Sequence, residues 1–169
     1  MYLIDVDFDG TKDILVQNGH YGNQGFVEYA CFLFRAGEYV ICDSFTAIPN
    51  VAVDAKNKVI LGCWRNWAAS HSYAMYSCIN DEFVMTNKLT EEPLDTSDNS
   101  GEDATLWSWT EEKRINGTMR ITGKFSDKDN DPDTVRNKFW GRNSFWGLDQ
   151  DKWNTLNNGG KMYDFSIYG

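Results

Sequence analysis

Long apolar runs are missing from this chain of 169 residues, and no stretch approaches the roughly 20 consecutive apolar residues that a membrane-spanning helix needs. Basic charge is also short. Lys and Arg number 16 against 25 Asp and Glu, for a net charge of −9. The basic footprint that phosphate backbones require is therefore lacking, and nucleic acid is excluded as a partner. Histidine occurs only at His20 and His71, and the four cysteines (Cys31, Cys42, Cys63, Cys78) have no C-x-x-C spacing, which argues against a zinc knuckle. No G-x-S-x-G elbow, P-loop or H-E-x-x-H stretch occurs, and no pair of carboxylates stands out as a glycosidase couple. A protein without enzymatic activity is expected. The N-terminus, MYLIDVDFDG, has no apolar leader. That leaves an intracellular chain or the mature or trimmed form of an exported one.

What the chain does have is an acidic loop, DVDFDGTKD. Acidic residues fall at loop positions 1, 3, 5 and 9 (Asp5, Asp7, Asp9, Asp13), with Gly10 at position 6 and Thr11 at position 7. A hard cation such as calcium takes six to eight oxygens at about 2.3–2.6 Å, and alternate carboxylates on a turning loop supply them. Gly10 permits the sharp turn, and Thr11 would offer its backbone carbonyl. Four carboxylates in nine residues would repel one another without a counter-ion. The alternative is a solvated acidic turn, since Asp-Gly pairs are common turn formers. An EF-hand would place Glu at position 12, where this chain has Val16, and would continue as a helix. The expected cofactor is calcium in a strand-flanked loop.

Aromatics are plentiful at 15%, which suits a β-protein core or a surface that binds sugars or proteins. Strand patterns follow in order. Ile14–Val16 reads as a strand and Asn18–Gly25 (NGHYGNQG) as a flexible connection. FVEYACFLF and YVICDSF then form a hairpin around Ala36-Gly37. A two-residue turn there makes partner numbers total 73, setting Cys31 opposite Cys42. That site is within disulfide range but less well aimed than a non-hydrogen-bonded pair, so buried thiols are favoured over a disulfide. Pro49 interrupts, VAVDAKNK reads as turn, and Val59–Trp64 as strand. Arg65–Tyr73 reads as a loop, and YAMYSCI and EFVMTNKLT as a hairpin around Asn80-Asp81. Glu91–Asp103 has almost no apolar content and reads as a linker or surface loop. Asn116-Gly117 marks a third hairpin, Val135 to Trp140 a short helix, and MYDFSIYG a closing strand.

The expected fold is mainly β, with antiparallel hairpins in a sandwich or propeller-like arrangement and one or two short helices near the C-terminus. It divides into a calcium-loop β domain (1–92), an acidic linker or surface loop (93–103), and a Trp-rich hairpin plus short helix (104–169), packed on the first part or forming a small second unit. A second acidic stretch, SDKDNDPD, has Pro132 where the first loop has Gly10. Proline cannot take the positive φ that the turn needs, so an acidic turn is the better reading there. Trp67, His71 and Tyr73 are candidates for gripping a partner from the loop after Trp64, although Trp64 and Tyr73 also read as core. Trp140, Trp146 and Trp153, in a segment that repeats Phe-Trp-Gly, are candidates for a glycan-binding platform. A core for the C-terminal piece is the favoured alternative.

DVDFDGTKD followed by ILVQNG resembles the calcium loops of FG-GAP and VCBS repeats. The order of the following segments, EYACFLFRAGEYVICDSFTAI, DAKNKVILGCWRNWAASHSYAMY and CINDEFVMTNKL, is similar to that of small exported bacterial proteins related to lysozyme-inhibitor-like immunity proteins. The resemblance covers about Leu3 to Thr90. It implies a metal role for Asp5, Asp7, Asp9, Thr11 and Asp13, and a partner that is a peptidoglycan hydrolase. It also implies a periplasmic, cell-surface or secreted setting. Glycan is the other partner to consider, and a structural domain of a larger surface protein is a third reading.

Overall fold

Three two-residue turns set the register of the chain. The computed structural model describes residues 1–21, 26–55, 57–67, 70–94 and 107–126. In it, Ala36/Gly37, Asn80/Asp81 and Asn116/Gly117 all have positive φ, between 50° and 94°. Such turns match the twist of antiparallel strands, and each falls where the sequence places a hairpin. Asn and Gly tolerate this conformation. Ala36 adopts it against its intrinsic preference.

The first sheet runs β1 (Tyr2–Ile4), β2 (Asp13–Tyr21), β3 (Phe26–Arg35) and β4 (Glu38–Ile41), and each strand is antiparallel to the one before it. After β4 the chain makes one helical turn, α1 (Asp43–Thr46), the one helix among the described residues. The second sheet collects β5 (Ala52–Asp54), β6 (Val59–Trp67), β7 (Ser70–Ile79), β8 (Glu82–Pro93), β9 (Trp107–Ile115) and β10 (Thr118–Ser126), again with sequence neighbours side by side. The result is an open, sandwich-like pair of antiparallel sheets. β9 and β10 continue the same sheet as β5–β8. The expected C-terminal helix, the closing strand and SDKDNDPD from Asp127 on lie outside the described residues, as do residues 95–106 of the linker region.

One continuous core joins the two sheets. Ile4, Leu15, Cys31 and Leu33 from the first meet Ile60, Tyr73, Ala74, Phe83, Leu89 and Trp109 from the second. The segment between the sheets fills the gap with Phe45, Ile48 and Val51, and Val53 of β5 adds to it. Phe45 meets Phe83 edge-on, with ring centroids 4.9 Å apart. Asn50 ties the sheets by hydrogen bonds: its Oδ1 accepts from Val27 N–H at 3.0 Å and its Nδ2 donates to the Cys63 carbonyl at 3.0 Å.

The structure corrects several boundaries. Part of the expected connection at Asn18–Gly25 is strand, because a bulge between Gln17 and Gly19 absorbs one residue and β2 continues to Tyr21. YVICDSF stops being strand at Ile41. From Cys42 the chain turns into α1, and the Thr46 N–H and hydroxyl both reach the Cys42 carbonyl. VAVDAKNK contains β5, whose three residues are buried against β6. Arg65–Tyr73 is largely strand, since β6 runs to Trp67 with a bulge after Arg65 and β7 resumes at Ser70. The supposed linker starts late as well. Glu91 and Glu92 belong to β8, paired with Trp109 and Ser108.

Candidate metal centre

The acidic stretch is the connection between β1 and β2, closed at its base by the Ile4–Asp13 pair. Ile4 and Val6 are fully buried, so the loop is pinned at its entrance by apolar side chains while its carboxylates crowd the other side. Gly10 has φ 95° and Phe8 φ 65°, which bend the chain back on itself. Three side chains brace that bend. Asp5 Oδ2 accepts from Gly10 N–H at 3.0 Å, Asp7 Oδ1 from Asp9 N–H at 3.1 Å, and Asp9 Oδ1 from Thr11 N–H at 2.6 Å. Each of these carboxylates keeps its second oxygen for something else.

Asp5, Asp7 and Asp13 converge, each offering a carboxylate oxygen within 4.8 Å of the others. Asp13 is fully buried; its Oδ2 accepts from Val6 N–H at 2.9 Å and its Oδ1 from Phe34 N–H at 3.0 Å. It therefore fastens the loop to the end of β3 and still has lone pairs directed elsewhere. Burial pushes its carboxyl up to about 6, against the two backbone N–H groups, with the charges of Asp7 and Asp5 adding to the rise. Burial also raises Asp5, again helped by the charge of Asp7. Among the described residues the buried Asp5 Oδ1 has no hydrogen-bond partner, an expensive condition for a carboxylate oxygen away from water.

An all-oxygen donor set with one orphaned buried oxygen fits a hard cation such as calcium. Asp5, Asp7 and Asp13 would hold it. Asp9 stands outside that group, with its side chain 41% exposed. Thr11 sits where the loop turns toward β2, its N–H held by Asp9.

Arg35, at the end of β3, was not legible as part of this site. Its guanidinium bonds Asp7 Oδ2, reaches Asp9 Oδ2 at 3.4 Å, and donates from Nε to Asp81 Oδ1 at 2.7 Å. In the sequence it is only the residue before a hairpin turn, and Asp81 only a turn residue. Nothing in their spacing joins them to a loop more than twenty residues upstream.

The other candidates separate. Trp67 is half exposed at the end of β6. Tyr73 is buried in the core and so presents no surface to a partner. His71 lies with Nδ1 3.8 Å from Glu91 Oε1, its side chain mostly covered. Trp140, Trp146 and Trp153 lie outside the described residues.

No family model matches the chain, and no curated protein matches it either. Among solved structures, it is similar to one described as the structure of a Xanthomonas type IV secretion system related protein. The identity is 25% and the TM-score 0.56, over 72% of this chain and 56% of that one. This chain thus spans little more than half the length of that bacterial neighbour. Among the described residues, no helix is long and apolar enough to cross a membrane.

Proposed function

We propose that this chain is a calcium-binding, non-enzymatic bacterial protein of the envelope or exterior that binds and inhibits a lysozyme-like cell-wall hydrolase. The observation that carries the metal half is the convergence of Asp5, Asp7 and Asp13 around the orphaned Asp5 Oδ1. Bound calcium would neutralise the crowded carboxylates and cross-link the loop to the first strands. Asp13 presents its oxygens from a fixed position, because two backbone N–H groups hold it. The inhibitor half is supported by the net charge of −9, which steers toward basic enzymes. It is supported also by the resemblance to immunity proteins and by a neighbour described as related to a type IV secretion system.

Thermal unfolding with excess EDTA and then with added calcium tests the metal half. A ligand specific to the folded state at about 100 times its Kd adds roughly 2.7 kcal/mol, which raises the midpoint by several degrees. An unchanged midpoint at millimolar calcium removes the metal from the proposal. The inhibitor half is tested by titrating the chain into lysozyme-like enzymes of several types. Dose-dependent loss of lysis is expected, and unchanged activity across all types overturns it.

A further inference from the structure

A cation from the end of β3 already sits against the loop. Asp7 and Asp9 each use Oδ1 to brace the backbone, which leaves Oδ2 to face a cation; of the two, only Asp7 belongs to the converging group. Those two oxygens are the ones that Arg35 takes, Asp7 Oδ2 through Nη2 and Asp9 Oδ2 through Nη1. Its Nε holds Asp81, in the β7–β8 turn of the other sheet. That turn is docked independently: the Cys42 thiol reaches the Asp81 carbonyl at 3.6 Å, and Phe83 N–H donates to Ser44 Oγ at 2.9 Å. Asp81 therefore remains a fixed anchor for the guanidinium whatever happens at the loop.

We propose that Arg35 is a resident competitor for the loop, a tethered cation that calcium must displace from Asp7, the ligand the two share, while the guanidinium stays anchored on Asp81. The inference rests on the calcium reading of the loop and concerns what sets its affinity. Guanidinium and metal are drawn to the same lone pairs, and two positive charges at that separation repel. Without metal, Arg35 supplies the counter-charge that keeps the carboxylates together. When calcium arrives, that counter-charge becomes a cost. Arg35 thus raises the threshold of calcium at which the loop fills, and it disfavours monovalent ions, which gain too little from the loop to displace it.

The test is calorimetric titration of calcium chloride into the full chain, alongside melting in EDTA, for the wild type, Arg35→Met and Arg35→Lys. Competition predicts opposite signs for Arg35→Met: a lower midpoint in EDTA and calcium binding tighter by about tenfold. Arg35→Lys keeps the charge but cannot span both carboxylates, so it binds calcium at an intermediate strength. It also stands in if Arg35→Met fails to fold, because it too must bind more tightly than the wild type. A residue that merely supported the loop would lower the midpoint and the affinity together. A wild type that takes calcium while the variants bind it no more tightly overturns the competitor role alone. A wild type that takes no calcium overturns the metal reading itself, and the competitor with it.

Discussion

The indole N–H of Trp109 donates to Glu91 Oε2 at 2.8 Å, and both residues are 1% exposed. A carboxylate that reads in the sequence as the start of an acidic linker is thus an internal part of the second sheet, matched to a tryptophan from the next strand. The pairing of Glu91 with Trp109 across β8 and β9 brings them together.

Replacing Glu91 by Ala takes this acceptor from a buried donor. A cost of about 1–3 kcal/mol is expected, and the melting midpoint should fall by several degrees. Glu91→Gln keeps an acceptor and should lose less. Equal midpoints for Glu91→Ala and the wild type would show that the contact contributes nothing.

Within the acidic loop, Asp5→Asn should weaken calcium binding far more than Asp9→Asn. An asparagine at position 5 can still accept from Gly10 N–H, so the bend survives, but the buried ligand loses its charge. Asp9 lies outside the converging group and is 41% exposed. Calcium titrations of the two variants decide the matter, and equal losses would mean that the loop binds through diffuse charge.

Gly62 lies under the segment joining the sheets. A Cβ built there would fall 2.6 Å from Ile48 Cγ2 and 3.2 Å from Tyr76 Cε2. Gly62→Ala should therefore destabilise by about 1–3 kcal/mol through overpacking. Ile48→Ala would make room, so the double variant should cost less than the sum of the two single changes. Strict additivity in denaturant melts would contradict the close packing.

Cys31 and Cys42 continue the β3–β4 register, with Cys42 N–H donating to the Cys31 carbonyl at 2.8 Å. The hydrogen bond from the Cys31 thiol draws Cys42 below the usual thiol range, and the same contact pushes Cys31 up. Thiolate is the attacking form in exchange with a disulfide. Oxidised glutathione at pH 7 should thus convert the pair to a disulfide with release of two glutathione thiols, lightening the chain by two hydrogens. The reaction should slow as the pH falls and Cys42 becomes protonated, with its midpoint below that of an ordinary thiol. Retention of all four thiols after prolonged exposure, by intact mass, would show the pair to be inert, and Cys31→Ser should block closure.

Much of this architecture is legible in the chain. Asn80-Asp81 and Asn116-Gly117 announce their turns because few residues accept positive φ, and Ala36-Gly37 sets the register that brings Cys31 and Cys42 opposite each other. Boundaries fared worse wherever cross-strand pairing overrode local polarity. Gly19, Arg65 and Glu91 look like loop residues, yet bulges and cross-strand partners carry the strands through them. The carboxylates of the acidic loop can be found from spacing alone. Arg35 cannot, because its place there depends on how β3 and the β7–β8 turn meet in space.

Among the described residues, every strand after the first of its sheet lies beside the strand that precedes it in the chain. Contacts of this kind are mostly local in sequence, which favours quick folding for a β protein. During synthesis each strand after the first of its sheet would find its template already in place. Such a chain can assemble vectorially, one hairpin at a time, without waiting for a distant segment to arrive.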